Sequence, residues 1–228
     1  MASTSKLLPS IELETGAQPD AAVIWLHGLG ADGNDFVPIV EEMRLPPDAS
    51  IRFVFPHAPV RPVTINGGMP MRAWYDIRAA NLSERADIDG VRASQEALEG
   101  LIAAQRAKGI AARRIVVAGF SQGGAIALYG GVRHSERLAG IVALSTYLIA
   151  GDALAQDASA ANRDVPIFMA HGTMDDVVRL EWGEASRRAL VAQGYDMEWH
   201  TYPMPHSVVW EEIAAITAFL VRVLFPSP

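Results

Sequence analysis

Ser121 stands in G-F-S-Q-G-G, between the β-branched run Ile115, Val116, Val117 and a run of small and apolar residues from Gly123 to Leu128. Small residues two places before and two places after a serine let the backbone turn sharply from strand to helix. The hydroxyl then stands near a helix N-terminus, where a nucleophile belongs. The five-residue pattern also matches ordinary turns, so the chemistry needs partners. Acyl transfer through a serine requires a histidine to take its proton, a carboxylate to orient that histidine, and N–H donors for the oxyanion that develops.

The chain offers each of them. His206 lies in P-M-P-H-S, between the last predicted strand and the last predicted helix, and Asp175 and Asp176 follow a strand predicted at 165–170. Asp152 also follows a strand, one earlier. In H-G-L-G, Gly28 and Gly30 free the peptide of Leu29 to turn its N–H toward the serine and join the N–H of Gln122 as an oxyanion hole; the same stretch reads equally as a plain glycine-rich turn. That loop lacks the Gly-Lys-Ser/Thr of a phosphate-binding loop and the spacing of a dinucleotide fingerprint. The other histidines, His57 between prolines, His134 near a helix, His171 at the start of the acid's turn and His200 inside a strand, read as structural groups.

Composition narrows the classes further. The 228 residues include no cysteine, which excludes thiolate nucleophiles and thiolate metal sites, and 26 acidic against 19 basic side chains give a net charge of -7 and no electrostatic reason to bind nucleic acid or an anionic membrane. Half of the residues are hydrophobic, enough for one large core, and a single domain over 1–228 is expected, with residues 1–10 as a loose leader. With no apolar stretch long enough to span a bilayer and no h-region at the N-terminus, stable membrane insertion is not expected and a cytoplasmic location is.

The elements that position these groups alternate. Strands are predicted at 11–14, 21–26, 51–55, 115–117, 140–144, 165–170 and 197–202. Helices are predicted at 35–44, at 88–105, after Ser121, at 179–193 and from Val209 through Val223. This order calls for an α/β fold with a mostly parallel central sheet covered by helices on both faces and no large cap domain. The stretch 150–164 reads as a surface connection. Residues 57–87, dense in Pro and Gly but carrying Met69, Trp74 and Tyr75, read as an inserted loop on the substrate side, with Trp74 and Met69 as substrate contacts.

The motifs H-G-L-G-A-D-G, F-P-H-A-P, V-T-I-N-G-G, W-Y-D-I, A-G-F-S-Q-G-G-A, A-L-S-T-Y, H-G-x-x-D-D-V-V and Y-P-M-x-H occur in this order across residues 20–225. Together they resemble the carboxylesterase and acyl-protein thioesterase family of small α/β-hydrolases, nearest to its bacterial carboxylesterase branch. The resemblance implies Ser121 as nucleophile, His206 as base, Asp175 rather than Asp176 as the orienting acid, and the N–H groups of Leu29 and Gln122 as the oxyanion hole. It implies hydrolysis of short- to medium-chain carboxylic esters, a small-molecule ester as substrate, and no metal or cofactor. Acyl-protein thioesterase or lysophospholipase activity is the alternative, and a silent binding scaffold a further one. It also brings in a homodimer, for which Trp210 or exposed methionines would serve as contacts. One departure stands out: Pro205 precedes His206 where the family has glycine, and a proline there restricts Met204 and could re-aim the loop.

Overall fold

The computed structural model describes residues 7–79 and 87–226. In chain order the strands are β1 (Ser10–Glu14), β2 (Ala21–Leu26), β3 (Ile51–Pro56), β4 (Val60–Val63), β5 (Met69–Arg72), β6 (Ile115–Phe120), β7 (Gly140–Leu144), β8 (Ile167–Gly172) and β9 (Met197–Tyr202). The helices are α1 (Ile39–Glu42), α2 (Ile88–Ala107), α3 (Gln122–Gly131), α4 (Leu154–Asp157), α5 (Leu180–Ala192) and α6 (Trp210–Leu224).

Seven strands form one sheet in the order β1-β3-β2-β6-β7-β8-β9, and every pair in it is parallel except β1 with β3. The alternation of strand side chains explains why both faces are covered. Along β2, Ala22, Ile24 and Leu26 face the layer that contains Leu98 and Leu101 of α2, Ile126 of α3 and Leu190 of α5. Ala21, Val23 and Trp25 face the opposite layer, with Ile39 of α1 and Ile216 and Phe219 of α6. The expected α/β architecture is therefore the observed one.

Local differences have physical causes. The helix expected over 35–44 shrinks to the four residues of α1, because Pro38 has no N–H to carry a helical ladder; before it the chain advances by three-residue turns such as Asp35 N–H to Asp32 O and Ile39 N–H to Phe36 O. The expected loose leader is docked from residue 8 onward: Leu8 packs against the core and the His57 N–H donates to Pro9 O at 2.8 Å. Residues 1–6 lie outside the described part. The predicted substrate-side loop contains a β-hairpin, with β4 and β5 paired antiparallel from Val60 opposite Arg72 to Val63 opposite Met69. Of its expected range, residues 80–86 are outside the described part. The stretch 150–164 is not wholly superficial, since Leu154 and Asn162 are fully buried, and the Asn162 carboxamide donates to the carbonyls of His134 and Glu136 and accepts from the Leu138 N–H. Among the described residues no helix is long and apolar enough to cross a membrane.

Candidate active site

Ser121 occupies the single position between the end of β6 and the start of α3, with φ 54° and ψ -120°. A side chain held there costs on the order of 1–3 kcal/mol and persists only where its surroundings over-determine it. They do. The Ser121 N–H donates to Leu144 O at 2.8 Å, and its carbonyl accepts from the Thr146 hydroxyl at 2.6 Å and the Ala125 N–H at 3.1 Å.

The flanking glycines permit the close approach that makes this corner. A Cβ on Gly119 would lie 2.4 Å from the Gly123 carbonyl oxygen, and one on Gly123 would lie 2.3 Å from Leu26 O. Both obstacles are backbone, so neither can swing aside. Gly123→Ala is accordingly expected to push α3 off β2, lowering stability by roughly 2–4 kcal/mol, within the range of severe single-residue changes. Urea denaturation checks this, and a midpoint equal to the parent's would contradict the crowding.

Asp175 and His206, from the ends of β8 and β9, meet through a hydrogen bond of 2.7 Å between Oδ2 and the imidazole Nδ1. The other carboxylate oxygen accepts from the Val177 N–H at 2.9 Å and the Val178 N–H at 2.8 Å. Burial opposes ionisation of Asp175, but the hydrogen bonds from His206, Val178 and Val177 outweigh it and hold the carboxyl below its ordinary range. An ionised Asp175 only accepts, so Nδ1 is the donor, and the tautomer with a lone pair on Nε2 is the one this bond selects in the neutral ring. Asp176 and Asp152, the competing acids, are exposed. The bond to His206 forms with Pro205 in place, so the departure at that position does not separate acid from base.

The imidazole is also supported from below. Phe120, next to the serine, packs its ring 4.7 Å from that of His206, and continues through Phe36 at 5.6 Å to Trp25 at 5.3 Å. This aromatic row was not foreseen: Phe120 is the unspecified residue of the serine motif, and only its alternation out of β6 hints that it faces the layer of Trp25 and Phe36. His171 reads as expected, a structural group whose Nε2 donates to Val178 O at 2.7 Å and so braces the acid's turn. His57 likewise accepts from the Gly33 N–H at 3.1 Å, His134 pairs with Glu99 at 2.7 Å, and the His200 ring stacks on Phe168 at 5.0 Å.

On the other side of Ser121 lies the loop after β2. A Cβ built on Gly28 would come within 3.6 Å of Ser121 Cβ, so the chain at Gly28 runs directly beside the serine. The N–H groups of Leu29 and Gln122 donate to no acceptor among the described residues. The hairpin pairs with this loop through Gly30 N–H to Arg72 O at 2.9 Å. Met69, expected to contact substrate, is 61% exposed on that hairpin. Trp74, expected to do the same, is 1% exposed, and its indole N–H donates to His27 O at 2.9 Å. The expectation of substrate contact is corrected for Trp74, whose large apolar ring is used as a strut beneath the site.

Among the described residues no group of three or more His, Asp or Glu side chains is placed to hold a metal ion. A cavity of about 960 Å³ opens on the outer face of α6 between Trp210 and Phe225, and none of Ser121, Asp175 or His206 lines it; its volume reflects an uncovered helix face rather than the chemistry.

Comparison with known proteins identifies the family. Residues 10–224 match the model of a family described as phospholipase/carboxylesterase. Acyl-protein thioesterase 1 of Yarrowia lipolytica is 38% identical over 217 residues, 93% of this chain and 96% of that protein. Acyl-protein thioesterase 1 of Neurospora crassa is 41% identical over 221 residues, 93% of this chain and 90% of that protein. The crystal structure of Zea mays acyl-protein thioesterase 2 superposes with a TM-score of 0.83 at 31% identity, covering 95% of this chain and 99% of that one. With a strained serine at the end of β6, a buried acid–histidine pair at the ends of β8 and β9 and a family match over nearly its whole length, the chain belongs to the phospholipase/carboxylesterase family of α/β-hydrolases, a family of serine hydrolases.

Proposed function

We propose that this chain is an acyl thioesterase that releases fatty acyl groups from thioesters, with oxyesters as slower substrates. The observation that carries the substrate class is that the curated relatives, at identities up to 41% across nearly the full length, are named acyl-protein thioesterase 1. These names support thioester hydrolysis over short-chain carboxylesterase activity. Exposed apolar side chains support it: Ile65 and Met69 lie on the hairpin that bonds to the loop after β2, and Met174 and Val177 flank Asp175 in sequence, surface that a long acyl chain could cover.

In this reading Ser121 Oγ attacks the thioester carbonyl while His206 Nε2 takes its proton, and the carbonyl oxygen becomes an oxyanion held by the N–H groups of Leu29 and Gln122. The tetrahedral species collapses, the C–S bond breaks, and the sulfur leaves as a thiol with the proton from His206. A water then gives its proton to His206 and attacks the acyl-serine; the bond between the acyl carbon and Oγ breaks, His206 returns the proton to Oγ, and the free acid leaves. Asp175 keeps Nδ1 as the donor and stabilises the imidazolium in both half-reactions.

The test is labelling by a fluorophosphonate together with rates on acyl-CoA thioesters and p-nitrophenyl esters from acetyl to palmitoyl. Labelling at Ser121 and a kcat/KM that rises with chain length and favours thioesters is expected. A maximum at acetyl or butyryl esters would return the chain to short-chain carboxylesterase activity, and an unlabelled chain inert on every ester would mark a silent scaffold.

A further inference from the structure

His27 ends the buried run of β2 and is itself 1% exposed. Its ring makes two hydrogen bonds of opposite sense. The Ala58 N–H donates to Nε2 at 3.0 Å, and Nδ1 lies 2.7 Å from Gly28 O. An N–H can only donate, so Nε2 must hold a lone pair, and the remaining tautomer places the proton on Nδ1, from which it is donated to the Gly28 carbonyl. Burial lowers the pKa of the ring, which keeps it in this neutral form.

The Gly28 carbonyl belongs to the same peptide unit as the Leu29 N–H. In a trans peptide the two point in opposite directions, so whatever holds the carbonyl aims the N–H. We infer that His27 is a positioning residue of the oxyanion hole: by holding the Gly28 carbonyl on the core side, its imidazole fixes the Leu29 N–H on the side of Ser121. The inference rests on the reading of the Leu29 and Gln122 N–H groups as oxyanion donors.

The second donor is held by the same assembly. Trp74, whose indole N–H holds the His27 carbonyl, donates its backbone N–H to the Gln122 side-chain oxygen at 2.8 Å, and the Gln122 side-chain nitrogen donates to Tyr75 O at 2.8 Å. Trp74 therefore ties the residue that aims one donor to the residue that carries the other. His27, Trp74, Tyr75 and Gln122 are all buried, so water does not compete for these bonds. Besides the bond from His27, the Gly28 carbonyl accepts, among the described residues, only the longer one from the Ala31 N–H, at 3.3 Å against 2.7 Å; the imidazole sets the peptide's orientation when the chain folds rather than in every turnover.

The experiment compares the full chain with His27→Asn and His27→Leu. The Asn amide nitrogen sits where Nδ1 does and still donates to Gly28 O, whereas both variants lose the acceptor for Ala58 N–H; a merely structural role would lower the two alike. With a trifluoromethyl ketone that forms a hemiketal on Ser121, the amide protons of Leu29 and Gln122 in the parent are expected to move downfield. In His27→Leu the Leu29 shift disappears and kcat falls roughly tenfold to a hundredfold, somewhat less than the loss of an oxyanion donor outright, with KM little changed; in His27→Asn both return most of the way. If His27→Leu does not fold, His27→Gln, which keeps an acceptor for Ala58 and drops the donor to Gly28, takes its place with the same expected losses. A Leu29 shift and a kcat that survive the loss of the donor, or equal losses in the leucine and asparagine variants, overturn the role of His27. No shift at Leu29 in a parent that does form the hemiketal overturns the oxyanion reading itself.

Discussion

Ser121→Ala is expected to lower kcat about a millionfold, and Asp175→Asn about ten-thousandfold, with little change in the substrate concentration at half saturation. The two figures differ because the groups fail differently. Without Oγ there is no covalent path, and what remains is stabilisation by the site around a directly attacking water. With Asn at 175 the nucleophile and base are both present, but the amide can donate where the carboxylate only accepted, so the Nδ1 proton loses its partner and the ring is free to take the unproductive tautomer. Backbone strain separates these losses from misfolding: alanine at 121 inherits the φ of 54° that serine tolerates, so its thermal unfolding should match the parent's within a few degrees. Asp175→Asn should lose stability above pH 4 in particular. The folded-state carboxyl lies below its ordinary range, so its contribution is present above the unfolded value and is lost as pH falls through the folded one. Pre-steady-state bursts of p-nitrophenol, read beside melting curves, check both variants. An Asp175→Asn enzyme with parental kcat would remove the carboxylate from the mechanism.

The parts of this site that were legible beforehand share one property: their constraint is local in the chain. The small residues about Ser121 announce a sharp corner within five positions, and β2, β7 and β9 have the predicted bounds because a strand's apolar run is bounded by its own turn residues. Asp175 could not be separated from Asp176 by spacing, since both follow β8 and only the folded turn, with Val177 and Val178 donating back to one carboxylate, selects between them. Trp74 departs from its sequence expectation for a related reason. An aromatic in a Pro- and Gly-rich connection suggests exposed contact surface, and nothing nearby in sequence shows that its two N–H groups are satisfied by residues 47 and 48 positions away. His27 reads as part of a glycine-rich loop, yet its place directly after the fully buried strand β2 signals that the ring needs partners on both nitrogens.

Glu212 carries the largest expected effect on stability, and its replacement by glutamine should make the chain more stable at pH 8 and less stable at pH 5. The side chain lies in the first turn of α6 with no exposed surface, and neither oxygen has a hydrogen-bond partner of ordinary geometry; the N–H of Val209, the helix N-cap, leans toward it without offsetting the burial. Burial pushes its pKa up to about 8. Because the folded value lies above the unfolded value of 4.5, the folded chain keeps a proton that the unfolded chain has released, and stability declines as pH rises between the two, at up to about 1.4 kcal/mol per pH unit. Across that window the loss amounts to several kcal/mol, comparable to the whole margin of a typical domain. Glutamine is neutral throughout and removes the slope, but its amide brings two buried N–H donors whose lack of partners costs roughly 1–3 kcal/mol, which sets the crossing of the two stability curves between pH 5 and 8. Half-buried Tyr202 at the end of β9 feels the same carboxylate: its ionisation is opposed first by burial and then by the charges of Glu212 and Glu211. The loop that carries His206 enters α6 at this N-cap, so an ionised Glu212 loads the element that holds the base. Urea unfolding of parent and Glu212→Gln at pH 5, 6, 7 and 8 separates these effects, and parallel curves would mean that the carboxylate finds solvent when it ionises.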